Sequence, residues 1–325
     1  MASIRGRIFS LITSTQNINP IAHPDAMEKM KKMSEKYLEV KQSKEYLFEK
    51  KTTQSGTSYH VIQKKGHKKT EKVIYYLHGG CYICGLTNNY HSFLREFCEM
   101  EESITIVLLD YKTAPEYRYP VQLNEAMDLW DELTEGQGYL PSNIVIGGDS
   151  SGGNLALALM LKIRDECGKM PAGAFLLSPW TDMTMSGNSY VRNYLKDVEI
   201  GEKKTVLTEE KRERLMESDL YSFIGDADRK SPYISPLFGN YEGFPPMFFA
   251  VGDDEMLLDD TLGVVEKLEN AKVPVICERK PDMFHTYVLY KNLMPESKDS
   301  FFRMKRFIQE NFIKKSPENV SNEAN

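Results

Sequence analysis

The chain has 325 residues, 41% of them apolar and 27% charged, with a formal net charge of −6. That length accommodates one large α/β domain with an elaboration, and the near-average composition excludes a disordered chain or a fibrous repeat. Mild acidity excludes a nucleic-acid surface, which needs a concentrated basic face, and no apolar run is long enough to cross a bilayer.

Taken in chain order, the opening "MASIRGRIFSLITSTQ" has too short an apolar run after its arginines for a secretory signal, so a cytoplasmic location is expected. From Pro24 to about Tyr46, Met27, Met30, Met33, Tyr37 and Leu38 recur at helical spacing and predict an amphipathic helix. "YLFEKK" and "SYHVIQKK", separated around Gly56, predict an antiparallel hairpin. The one dense positive run, "KKGHKKTEK" from Lys64, reads as a solvated hairpin or loop. Six short segments follow, "KVIYYLH", "ITIVLLD", "NIVIGG", "GAFLLS", "PMFFAV" and "VPVICER", rich in β-branched and aromatic residues and nearly free of charge, as strands buried on both faces should be. Helix-length segments lie around residues 91–101, 120–135, 151–167, 259–271 and 298–313. This alternation predicts a mainly parallel sheet with helices on both faces. Residues 186–236 are polar, interrupt the alternation, and predict an insertion of two or three helices on the sheet's C-terminal edge. The polar tail from Ser316 is expected to fray.

The five cysteines, Cys81, Cys84, Cys98, Cys167 and Cys277, are odd in number and scattered, which argues against a disulfide framework and for a reducing compartment. Cys81 and Cys84 form a C-x-x-C, but no second pair at zinc-like spacing accompanies it, so no metal is expected.

Ser150 stands between a predicted strand and a predicted helix in Gly148-Asp149-Ser150-Ser151-Gly152, a G-x-S-x-G in the strand-turn-helix context that a nucleophilic serine requires. A serine on so sharp a turn needs glycines two residues either side, where the chain passes too close to carry side chains. In "YYLHGGCYICG", Gly79 and Gly80 follow a strand, and their backbone N–H groups, with that of Ser151, suit an oxyanion hole for acyl transfer. A serine hydroxyl needs a base. Of the six histidines, His23, His60 and His67 read as lying before the sheet in polar surroundings, His78 belongs to the glycine loop, and His91 falls in a helix. His285, in a loop after the strand "VPVICER", is the candidate, and a base of this kind ordinarily titrates near pH 6.5.

These motifs together resemble the bacterial hormone-sensitive-lipase family of α/β-hydrolases, carboxylesterases related to acetyl esterases. The family's "HGGG" stands here as "HGGC", its "DYRLAPE" as "DYKTAPEY" from Asp110, and its "GDSAGG" as "GDSSGG", over a similarity spanning roughly residues 72–313. The resemblance implies an α/β-hydrolase fold and a triad in the order Ser, acid, His. In "VGDDEMLLDD" the family acid opens a D-P-L-x-D pattern. Ungapped counting from Pro245 and Pro246, and backward from "LLDD", both place Glu255 there, with Asp254 as the alternative. Asp253, Asp259 and Asp260 then read as loop or helix-cap residues, and Asp110 and Glu116 as braces. Cys81 replaces a family glycine, which a hole built from backbone N–H groups tolerates, and a thiol at that mouth implies sensitivity to alkylating reagents.

The reading implied is a serine carboxylesterase acting on small-molecule, short-chain acyl esters through an acyl-enzyme, without metal or organic cofactor. Residues 1–50 form an N-terminal helical cap segment, and residues 51–325 the hydrolase domain with 186–236 as cap insertion. The alternatives are an amidase or formamidase using the same triad, and a non-catalytic small-ligand binder on this fold; family members of the latter kind have lost the base that His285 supplies. Oligomeric state is left open, a homodimer included.

Overall fold

The charge-poor runs become strands because apolar side chains alternating up and down a strand can be buried on both faces at once. In the computed structural model, which describes residues 2–36, 43–66, 71–100 and 104–313, eight strands form one sheet. They are β1 (Tyr46–Thr52), β2 (Ser58–Lys64), β3 (Lys72–Leu77), β4 (Ile104–Leu109), β5 (Ile144–Asp149), β6 (Gly173–Leu177), β7 (Met247–Gly252) and β8 (Val275–Lys280). The spatial order is β1-β2-β4-β3-β5-β6-β7-β8. β2 runs antiparallel to both β1 and β4, and every other neighbouring pair is parallel.

Helices α1 (Ile4–Thr13) and α2 (Ala26–Lys36) precede the sheet, and α3 (Asn88–Leu94), α4 (Val121–Asp131) and α5 (Ser150–Glu166) connect its first strands. α6 (Ser189–Arg192) and α7 (Glu209–Glu217) interrupt it, and α8 (Leu258–Asn270) and α9 (Pro295–Ile313) complete it. On β3, Val73, Tyr75 and Leu77 join one core with side chains of α4, α5 and α8. Ile74 and Tyr76 join a second core with α3 and α9. Helices therefore cover both faces, as the alternation predicts. The chain leaves β3 toward α3 on one face and leaves the adjacent β5 toward α5 on the other. Such a switch opens a crevice beyond the carboxyl ends of the two strands, the usual place for a site in an open α/β sheet.

Residues 186–236 hold two helices, one of a single turn, and a 3-10 stretch at Asp219–Ile224. Although polar in bulk, this stretch buries Tyr190, Tyr194, Leu215, Leu220, Tyr221 and Phe223. The predicted helix from Pro24 does not reach Tyr46: α2 is described over Ala26–Lys36, residues 37–42 lie outside the described residues, and Tyr46 opens β1. Most of the basic run after Gly66 and the polar tail also lie outside them. The opening segment is a helix capped by the Ser3 hydroxyl, which accepts from Gly6 N at 3.0 Å, and Gly6 fits against Met283.

His60 departs from expectation. It lies on β2 inside the sheet, buried, with Nδ1 3.0 Å from Nε2 of buried His91 on α3. Burial lowers the pKa of both rings, that of His91 to about 4 with His60 adding to the effect, so both are neutral in the fold. In the unfolded chain both titrate near 6.5. The unfolded state then binds more protons between about pH 6.5 and about pH 4, and stability that is full above that window is lost as pH falls through it. The urea midpoint is expected to decline from pH 7 to pH 5, and the double variant His60→Gln/His91→Gln to flatten that decline; equal slopes in the two proteins would refute it.

Candidate active site

Ser150 sits at the junction of β5 and α5 with φ 53°, in the left-handed region. The turn closes because Gly148 and Gly152 touch: a Cβ on Gly148 would lie 2.4 Å from the Gly152 carbonyl oxygen, and one on Gly152 2.2 Å from that of Leu77. The two glycines thus meet each other and the end of β3, which fixes the hydroxyl above the crevice. α5 begins at Ser150, so the N–H of Ser151 lies in its first turn, where no intrahelical acceptor exists.

Nε2 of His285 is 2.9 Å from Ser150 Oγ, and Nδ1 is 2.9 Å from Glu255 Oε2. Glu255 is fully buried, and its other oxygen accepts from Gly252 N at 2.5 Å and from Ser178 Oγ at 2.7 Å. Ser178 in turn accepts from Thr286 N at 3.0 Å, so one hydroxyl ties the carboxylate to the residue after His285. Asp254, the alternative acid, points elsewhere: its carboxylate faces Lys196 Nζ at 3.4 Å and is half-exposed. Asp253 pairs with Arg279, Asp259 accepts from Ser189 N at 2.8 Å, and Asp260 from the N–H groups of Thr181 and Asp182, each at 2.8 Å. Asp110 accepts from Lys50 at 3.0 Å and Glu116 from Lys31 at 2.6 Å.

The glycine loop differs from expectation at one donor. Gly79 N–H is already shared between Asp149 Oδ1 and the Tyr90 hydroxyl, each at 3.0 Å, because the buried Asp149 carboxylate lies directly beneath it. Asp149 also accepts from the hydroxyls of Tyr76 at 2.8 Å and Tyr90 at 2.9 Å. Among the described residues, the N–H groups of Gly80 and Cys81 make no hydrogen bond, so with Ser151 these are the donors left free. Gly80 at φ 113° and Cys81 at φ 58° turn the loop over the serine. His78 stacks on Tyr111 with ring centroids 4.2 Å apart, and burial lowers its pKa to about 4, leaving a neutral supporting ring.

Ser150 opens onto an apolar cleft walled by Trp180, Met185, Tyr190, Leu215 and Tyr221. Cys81 lines it too, but burial drives its thiol far above the ordinary range. Thiol reactivity requires the thiolate, so the expected sensitivity to alkylation does not follow from this environment. Among the described residues no group of three His, Cys, Asp or Glu side chains is placed to hold a metal ion, and no helix is long and apolar enough to cross a membrane.

Sequence reasoning missed Asp149, Ser178 and Asp197 as supports. Asp197 accepts from Met256 N at 2.7 Å and so holds the loop that carries Glu255. Asp149 had a signal, being inside the serine motif; Ser178 and Asp197 act across 77 and 59 residues and had none.

Burial opposes charge on His285, but the hydrogen bond and charge of Glu255, with Glu199 and Asp197, outweigh it and raise the ring to about 9. That lies above the value near 6.5 expected from sequence. In an imidazole NMR titration, the His285 midpoint should stand above 6.5, and Glu255→Gln should lower it by at least about one unit. No change on that substitution would mean that Glu255 does not set the charge of the ring.

The pattern of the α/β-hydrolase fold family matches residues 74–289. An esterase of Acinetobacter venetianus is 30% identical over 243 residues, 75% of this chain and 76% of that protein. Among solved structures, the esterase EstE5 soaked with p-nitrophenyl butyrate superposes with a TM-score of 0.82 at 29% identity, covering 96% of this chain and 100% of that one. An esterase from the bacterial hormone-sensitive lipase family gives 0.80 at 25% identity, covering 96% and 99%.

Proposed function

The chain belongs to the α/β-hydrolase fold family, in its bacterial hormone-sensitive-lipase group, and from that premise we propose that it is a serine carboxylesterase for short-chain acyl esters, with Ser150, His285 and Glu255 as its triad. The observation that carries this reading is the continuous chain of contacts from Glu255 through His285 to Ser150, each link 2.9 Å.

The chemistry follows from the protons. His285 Nε2 takes the proton of Ser150 as Oγ attacks the ester carbonyl carbon, giving a tetrahedral oxyanion. The N–H groups of Gly80, Cys81 and Ser151 donate to that oxyanion, in surroundings where each donor counts for more than in water. The imidazolium, held by Glu255, then protonates the departing alcohol oxygen as the carbon–oxygen bond breaks. Water enters, gives its proton to His285, and releases the acid by the same steps reversed. Glu255 stabilises the imidazolium and fixes the tautomer, and Ser178 and Gly252 keep it aimed.

The segments before β1 and between β6 and β7 serve as the cap over this site. Trp180 and the cap residues Leu215, Leu220 and Tyr221 line an apolar cleft of limited size beside Ser150, which suits an acyl chain of a few carbons. Across p-nitrophenyl esters, kcat/KM should be highest from acetyl to butyryl and fall by at least about 10² toward dodecanoyl. A profile rising toward the longer chains would overturn the short-chain assignment.

The triad itself is testable by isosteric change. Ser150→Ala should lower kcat by about 10⁴ to 10⁶, and Glu255→Gln by about 10² to 10⁴, whereas Asp254→Asn should cost less than about tenfold. Near-normal hydrolysis by the Ser150 variant, or a reversed order of the two acids, would remove the assignment concerned.

A further inference from the structure

Helix α1 turns its large apolar side chains away from the protein. Ile4, Ile8, Leu11 and Ile12 are 79%, 54%, 65% and 49% exposed, whereas Gly6 and Thr13 are buried. At about 100° per residue, positions i, i+4, i+7 and i+8 make one continuous stripe, with Gly6 and Thr13 on the opposite side. A surface helix ordinarily points such a stripe at the core. Here the inward side has no room for it: a Cβ on Gly6 would stand 3.1 Å from Met283 Cε. Three contacts hold the helix in that orientation. Ser3 Oγ donates to Glu296 Oε2 at 3.0 Å, Ala2 N to Asp282 Oδ2 at 2.8 Å, and the Phe9 ring lies 5.3 Å from that of Tyr290. Among the described residues, thirteen large apolar side chains are exposed, and four of them fall within these nine positions. An apolar patch of that density marks an interaction surface, which singly scattered residues do not.

Charge says what covers it. Arg5 and Arg7 are both exposed, and helical geometry places Arg5 beside Ile12 and Arg7 beside Leu11, one on each border of the stripe. The first 24 residues contain no aspartate or glutamate, in a chain whose net charge is −6. The acids that the start of α1 does touch, Glu296 and Asp282, are turned to Ser3 and Ala2 at its base. The exposed face is therefore apolar along its middle and cationic along both edges. A second copy of this chain fits it poorly, because a two-fold contact through α1 brings four arginines together with no acid from either helix to answer them.

We propose that α1 docks the protein on an anionic phospholipid surface, its four aliphatic side chains entering the boundary of the acyl region while Arg5 and Arg7 meet lipid phosphates. Arginine stems run along apolar surface and leave the guanidinium at headgroup level, where it pairs with phosphate. Ten residues at about 1.5 Å each reach about 15 Å, half of a hydrocarbon core of about 30 Å, so the helix lies in the interface and does not cross it. A stripe this short gives reversible attachment. The inference rests on α1 alone and not on the esterase reading. The helix is nevertheless tied to the site: Asn17 donates to the carbonyls of Val198 and Gly201 on either side of Ile200, which lines the cleft, and Tyr290 packs on Phe284, the neighbour of His285, with centroids 5.7 Å apart. Attachment keeps those segments near a phase in which apolar esters concentrate.

The test is flotation of the full chain with unilamellar vesicles. Its partition coefficient on phosphatidylcholine containing about 30% phosphatidylglycerol should exceed that on phosphatidylcholine alone by about tenfold or more. Raising salt from about 0.05 M to about 0.5 M should remove most of that difference in the unaltered protein, a readout that needs no variant to fold. Ile8→Ser/Leu11→Ser should lower partitioning by about tenfold or more, and Arg5→Gln/Arg7→Gln should erase the preference for anionic vesicles, each with a Tm close to that of the unaltered chain. Absence of binding to either vesicle, or binding that ignores salt and all four substitutions, overturns the proposal. A concentration-dependent dimer in sedimentation that Ile8→Ser/Leu11→Ser dissolves also overturns it, because the stripe would then join two copies of the chain.

Discussion

The site depends on a turn too tight for side chains. Ser150 holds a left-handed backbone only because Gly148 and Gly152 touch and the latter rests on the end of β3. Strain of that kind survives where the surroundings over-determine it, and here a parallel sheet fixes one side of the turn while α5 fixes the other. The same contact brings the ends of β3 and β5 together, so the serine and the glycine loop share one crevice. Without it, no placement of His285 would give the hydroxyl a base and a set of free backbone donors at once.

Around that turn the structure spends buried carboxylates as braces. Asp149 gathers the hydroxyls of Tyr76 and Tyr90 and the N–H of Gly79, joining β3, α3 and the glycine loop beneath the serine. Asp197 and Glu255 do the same for the loop after β7, each accepting from backbone N–H groups. A buried carboxylate is costly unless its lone pairs are satisfied, and removing one donor leaves an unpaired charge. Such residues therefore lock geometry on the side of the site where the proposed imidazolium must form. The hydrogen bond and charge of Glu255, with the charges of Glu199 and Asp197, raise the ring above its ordinary value despite burial.

What sequence could show divides along the same line. Ser150 and its glycines, the strand runs and the late loop at His285 are local patterns, and the parallel sheet follows from their alternation. Glu255, the proposed acid, was nominated because two short anchors bracket it closely. Gly79 was misjudged because its donor is claimed by Asp149, 70 residues away, and only strand pairing brings them together. His60 was misplaced for a similar reason: polar neighbours in the chain say little about a β2 side chain packed against α3. The segment 186–236 read as a polar helical insertion because its charges dominate composition, although its aromatic residues face inward.

A glutamate as the proposed triad acid raises a question of reach, since its extra methylene moves the carboxylate about a bond length farther from the backbone than an aspartate's. The surroundings answer it. Oε1 is held by Gly252 N, three residues back, so the side chain folds toward its own strand end before presenting Oε2 to His285. Ser178, from the neighbouring strand end, closes the remaining side and also accepts from Thr286 N. An aspartate at this position would fall short of either the imidazole or the pair formed by Gly252 and Ser178. Asp197, accepting from Met256 N at 2.7 Å, fastens the loop from which the longer side chain reaches both its donors and the imidazole, so the position of the proposed acid depends on that anchor.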